Sequence, residues 1–204
     1  MATEPPSPRE RLLERLRDRT RAMLADIPQR QAADVYAVAF ELLEAEEELS
    51  PPHIALSWNT SEKLALVDRA AGGQLYLNSR WNLGTWATSG MDIEDDEIRG
   101  LAEAALRDCG TVGAGPLPDF DSDEATVIVI AIHDQAARFL GDLARTLHAE
   151  DVLAQTLGHE VLVLCHTVSD SEPWTRLTLD ANPPQLHGDF LDFHEQHGVH
   201  DETF

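Results

Sequence analysis

Lysine is almost missing from this chain. Of 15 basic residues among 204, Lys63 is the single lysine and the rest are arginine. The cations are also unevenly placed. The first thirty residues hold 7 Arg against 5 acids, whereas past Arg30 there are 8 Lys and Arg against 32 Asp and Glu, a net charge of −24. A body so poor in clustered cations is unsuited to neutralising phosphates, so nucleic-acid binding through it is not expected. A field of this sign instead favours encounter with a basic protein partner and suppresses self-association. A GC-rich coding genome or adaptation to high salt would produce the same bias, because net charge speaks to solubility and association and not to fold.

Cysteine is scarce as well. Cys109 and Cys165 are far apart, sit in apolar contexts and form no CxxC, which argues against a disulfide framework or a zinc ribbon and fits a reducing compartment. Long apolar runs are missing: the strongest, Val127 to Ile132, is too short to span a bilayer, and the leading residues lack the apolar core of a signal peptide. The expectation is a soluble, cytoplasmic protein without a membrane partner. No GxGxxG or phosphate-binding lysine accompanies the glycines of Cys109 to Gly115, which leaves nucleotide binding without support. His159-Glu160 opens like a zinc-protease helix, but Val163 stands where the second histidine would have to be. His166, Ser169 and Asp170 are the residue types of a catalytic triad, crowded into one segment without a nucleophile elbow. Cys165 beside His166 would alternate to the opposite face of a strand, which points to a buried structural thiol. No cofactor and no enzymatic activity are expected.

Apolar periodicity and capping signals supply the elements. Ser7-Pro8-Arg9-Glu10 reads as a capping box opening a helix whose stripe is Leu12, Leu16, Met23 and Ile27, with Leu13 and Leu24 beside it; Pro28 ends it. Asp34 to Leu42 and His53 to Trp58 read as two strands of a hairpin, joined through the acidic stretch Glu44 to Glu48 and Pro51-Pro52. Asn59-Thr60-Ser61-Glu62 caps a helix over Leu64, Val67 and Ala71 that Gly72-Gly73 stops, and Gln74 to Ser79 reads as a short strand. Asp92 to Glu97 is the anionic start of a helix through Ile98, Leu101, Ala105 and Leu106, closed by Gly110; a loop spans Thr111 to Asp123.

The β-branched run Ala125 to Ile132 predicts a buried strand, followed by a helix from Asp134 through Ala137, Leu140, Ala144 and Leu147 and a short one over Asp151 to Leu157. Glu160 to Thr167 and Thr175 to Asp180 predict two more strands around a turn at Ser169 to Pro173. The resulting class is α+β, a mainly antiparallel sheet with packed helices. The organisation is an N-terminal helical extension over residues 1–30, an acidic domain over 31–182 and a His/Asp-rich tail over 183–204.

Three sets of residues are candidates for function. The acids Glu44, Glu46, Glu47, Glu48, Asp92, Glu94, Asp95, Asp96, Asp119, Asp121 and Asp123 are candidate contacts for a basic partner. Arg80, Trp81 and Trp86 form either an exposed recognition patch or, the better reading, core anchors with the guanidinium stacked on an indole. His187, His194, His197 and His200, among carboxylates, are weak candidate ligands for zinc or another divalent ion, and a metal-dependent hydrolase built on them is the alternative function. An acidic regulatory or scaffold domain is a third.

The strand Val35-Tyr36-Ala37-Val38-Ala39-Phe40, the second strand running into Asn59-Thr60-Ser61-Glu62, and Arg80-Trp81 followed by Trp86 resemble a pattern seen in a bacterial family of domains of unknown function. That family occurs among the immunity proteins of polymorphic toxin systems. The resemblance covers roughly residues 7 to 182, and the Arg-rich first helix and the His-rich tail lie outside the shared pattern. It implies a non-enzymatic inhibitor that binds a basic toxin, and it carries no catalytic residues.

Overall fold

The computed structural model describes residues 5–43, 50–70, 80–81, 83, 86–111, 122–166 and 174–197. Their elements in chain order are α1 (Pro8–Ala25), α2 (Gln29–Ala32), β1 (Val35–Leu43), β2 (His53–Thr60), α3 (Ser61–Ala70), β3 (Thr88–Asp92) and α4 (Asp96–Asp108). There follow α5 (Asp123–Ala149), α6 (Val152–Leu157), β4 (Leu162–His166), α7 (Trp174–Ala181), a 3-10 turn at Pro184–Leu186 and α8 (Gly188–His197). The expected strand at Gln74 to Ser79, the turn at Ser169 to Pro173 and most of the loop between Thr111 and Asp123 lie outside the described residues.

The four strands form one sheet in the order β3-β2-β1-β4. β1 pairs antiparallel with β2, β2 antiparallel with β3, and β1 parallel with β4, so the sheet is mixed and the fold is α+β. The β1–β2 pair is the expected hairpin. The parallel partner arrives only after α3, β3, α4, α5 and α6 because a parallel return needs a crossover.

Strand alternation assigns the two sheet faces. Val38, Phe40 and Leu42 of β1, Ile54, Leu56 and Trp58 of β2, and Val163 and Cys165 of β4 share one apolar cluster with α1, α4, α5 and α6. Ala37 and Ala39 of β1 and Leu162 and Leu164 of β4 face the other way, into a second cluster with Trp81, Leu83, Trp86 and Phe190. α1 begins at the expected capping box, where Ser7 accepts from the Glu10 amide and the Glu10 carboxylate accepts from the Ser7 amide at 2.7 Å. Its Leu12, Leu16 and Leu24 are fully buried, so residues 8–25 belong to the same core as the sheet.

Two expected strands are helices. Ala125 to Ile132 forms the first turns of α5, a single helix of 27 residues that absorbs the helix expected from Asp134. The Ser122 hydroxyl accepts from the Ala125 amide at 3.1 Å and starts it. Ala125, Ile132, Ala136, Phe139, Leu140 and Leu143 are buried at helical spacing, and that stripe outweighs the β preference of the branched residues. Thr175 to Asp180 lies in α7, with Leu177, Thr178 and Ala181 buried along one side. Asn182, just past α7, locks it to β4: its Nδ2 donates to the carbonyls of Val163 and Thr178, each at 2.7 Å, and its Oδ1 accepts from the Val163 amide at 2.8 Å. The ring of His148 meets that Oδ1 through Nε2 at 2.9 Å and Glu160 through Nδ1 at 2.8 Å.

Candidate functional site

The second sheet face carries most of the polar side chains drawn from more than one strand. The small side chains Ala37 and Ala39 leave room over β1, which aromatic rings fill. Tyr36 meets Trp81 edge-on at 5.9 Å and Trp86 at 6.4 Å, and Phe190 of α8 meets Trp81 at 5.3 Å and Trp174 at 5.4 Å. Trp81 is 7% exposed and Trp86 5%, so both are core anchors rather than a recognition patch. The Arg80 guanidinium stacks 4.7 Å from the Tyr36 ring centre and 5.4 Å from that of Trp81, and pairs with Asp189 at 2.5 Å. Phe190 is fully buried, so this part of the tail is docked on the fold.

Tyr36 and Asn59 hold the tryptophan segment in place. The Tyr36 hydroxyl donates to the Arg80 carbonyl at 2.7 Å, and Trp86 Nε1 donates to the same carbonyl at 3.1 Å. Asn59 Nδ2 donates to the Tyr36 hydroxyl at 2.8 Å while its Oδ1 accepts from the Ala87 amide at 3.1 Å. Burial pushes the Tyr36 phenol up to about 12, which keeps it a donor at ordinary pH.

Farther along the same face, three strands bring a carboxylate, a hydroxyl and an imidazole together. Glu41 of β1 is 9% exposed, and the Ser57 hydroxyl of β2 donates to its Oε1. The Ser57 oxygen in turn accepts from the Gly90 amide of β3 at 2.9 Å. Gly90 has φ +64°, a backbone that a side chain rarely tolerates, at the irregular register between β2 and β3. His166 of β4 is the register partner of Glu41 and lies 5.9 Å, ring to ring, from Trp174. Burial holds the His166 imidazole below its ordinary pKa, opposed by the charge of Glu41. Neighbouring Cys165 points to the opposite face, fully buried, with its thiol pushed up to about 12 by burial; it is an inert core residue.

The acidic candidates have separate local tasks. Asp92 accepts from the Glu94 amide at 2.8 Å. Glu94 is buried, accepts from the Ile54 amide at 2.8 Å and approaches His53 at 3.2 Å. Asp95 caps α4 through the Ile98 amide at 2.9 Å and pairs with Arg15 of α1 at 3.0 Å, and the helix amide holds its carboxyl below the usual range. Asp96 and Asp123 are exposed in the first turns of α4 and α5. Glu44, Glu46, Glu47, Glu48, Asp119 and Asp121 lie outside the described residues.

Of the four candidate histidines of the tail, His187 is the one whose side chain is described. His187 Nε2 lies 3.0 Å from the Asn182 carbonyl. His194 and His197 lie on α8 with side chains outside the described set, and His200 is outside it altogether. Among the described residues, no group of three or more His, Cys, Asp or Glu is placed to hold a metal ion. No described helix is long and apolar enough to cross a membrane.

Glu41, Ser57, Tyr36 and Asn59 were not singled out by their residue types. The available signal was polarity inside strands otherwise made of apolar residues: Glu41 ends the run Val35 to Phe40, and Ser57 and Asn59 alternate with Leu56 and Trp58. No protein-family model, curated protein or solved structure matches this chain.

Proposed function

We propose that this chain is a non-enzymatic binding protein for a basic protein partner, an immunity-type inhibitor of a basic toxin. The observation that carries the reading is the outer face of the first turns of α5. Val127 is 65% exposed and Ile130 45%, although both belong to an apolar run on the longest described helix. Asp123, Val127 and Ile130 succeed one another at helical spacing, with Asp123 exposed and Glu124 exposed beside them. Apolar side chains flanked by carboxylates suit a partner that presents an apolar anchor among cations. The net charge of −24 past Arg30 has the complementary sign, and the strand and Arg80-Trp81…Trp86 resemblance to immunity proteins supports the same class.

The test is to look for a basic protein encoded beside this chain's gene and to titrate it calorimetrically against the chain. The wild-type chain is expected to bind, and Val127→Glu with Ile130→Glu is expected to weaken binding at least about tenfold, which corresponds to about 1.4 kcal/mol. Both side chains are exposed, so the double variant should keep its helical circular dichroism. Failure of the wild type to bind, or unchanged affinity in a folded double variant, would overturn the proposal.

A further inference from the structure

The second sheet face holds a carboxylate that has no counter-ion among the described residues. Glu41 is nine-tenths buried, and the Ser57 hydroxyl is its one described hydrogen-bond donor. Among the described residues no Lys, Arg or His lies within ion-pair distance of it. Arg80, the cation on this face, is stacked on Tyr36 and Trp81 and paired with Asp189. A carboxylate so placed is best satisfied by hydrogen bonds or by a cation brought to it.

We propose that Glu41, Ser57 and His166 form the polar floor of a binding site for a guanidinium group. Ser57, itself held by the Gly90 amide, donates to Oε1 and orients the carboxylate, while Oε2 has no partner among the described residues. His166 sits on the adjoining strand directly in register, and neither ring nitrogen bonds to a described residue. Its imidazole is held in the neutral form by burial and therefore offers a lone pair. Two acceptors on neighbouring strands, about 4.8 Å apart in the pairing direction, match the planar fork of a guanidinium better than the point charge of an ammonium. Trp174, 5.9 Å from His166, adds an aromatic wall on which such a cation can stack. The site lies on the sheet face away from α5 and stands independently of the binding reading above.

A guanidinium group can arrive as a small metabolite or as an arginine side chain, and the experiment separates the two. The full chain is titrated with methylguanidinium, with N-acetylarginine amide and with methylurea, the neutral isostere, while NMR follows the His166 ring protons. Both cations are expected to bind and move the His166 resonances; methylurea is not. Glu41→Gln keeps an acceptor for Ser57, and it is expected to weaken the cations at least tenfold with no fall in melting temperature. A residue that serves packing alone would lower the melting temperature on substitution and leave no ligand response. Binding of methylguanidinium but not of the arginine derivative assigns a small metabolite, and comparable binding of both assigns a side chain. Equal responses to methylguanidinium and methylurea, static His166 resonances, or undiminished binding by Glu41→Gln would overturn the site.

Discussion

Burying a carboxylate changes how tightly it holds its proton, and Glu94 shows the consequence for stability. Its side chain is 4% exposed where β2 and the start of α4 meet, and burial, the largest influence, raises its pKa above 4.5 despite the Ile54 amide and His53. A group with a raised folded pKa binds its proton more tightly in the native state. Its favourable contribution is therefore complete below the unfolded value and is lost as pH rises through the folded one. Glu94→Gln keeps the acceptor for the Ile54 amide and does not titrate. Urea denaturation at a series of pH values should show the variant gaining on wild type from about pH 4.5 upward and then levelling off. A wild type that gains on the variant over that window would contradict the assignment. Asp95 is the opposite case, an exposed cap held low by a helix amide, and the two neighbours show that an acidic cluster is not one electrostatic object.

At the scale of elements, α5 organises the first face, and its contact with α7 depends on one small residue. A Cβ at Gly141 would stand 3.0 Å from Leu177 Cδ1, the movable end of a side chain. Gly141→Ala should be nearly neutral, because the helix preference for alanine of about 1 kcal/mol offsets a small shift of Leu177. Gly141→Leu should destabilise by about 1–3 kcal/mol through overpacking. Chemical denaturation checks the pair, and equal stability of the two variants would mean that α5 and α7 do not pack closely there. α5 also marks the boundary of what local sequence reveals. The β1–β2 hairpin, the Ser7 capping box and an acidic start of α4 within Asp92 to Glu97 were readable because each depends on a few adjacent residues, although Asp92 itself ends β3 and the helix begins only at Asp96. Val127 to Ile132 misled because β-branched residues favour a strand in isolation, whereas the deciding stripe runs on to Leu147 and the cap sits at Ser122. The Glu41, Ser57 and His166 grouping was not legible because it requires the parallel register of β1 with β4, set by contacts more than a hundred residues apart. The tryptophans were read in both possible ways, and burial decides for the core.

Over the whole molecule, the charge asymmetry gains a structural meaning. Three of the six arginines of α1 pair with the acidic body, Arg9 with Asp142, Arg15 with Asp95 and Glu97, and Arg17 with Glu150, so part of the basic segment neutralises it. What is left at the N-terminal end of α5 is an apolar strip beside the exposed Asp123 and Glu124, with exposed Arg138 farther along the helix. If that face meets a basic partner, association must weaken as salt screens the two charge distributions. The decisive measurement is the dissociation constant for the basic partner identified by that titration, followed from about 0.05 to about 0.5 M salt, over which the screening length falls to about 4 Å. The expected result is a rise of at least about tenfold, carried mainly by slower association. A dissociation constant that stays flat across that range would contradict an acidic docking face.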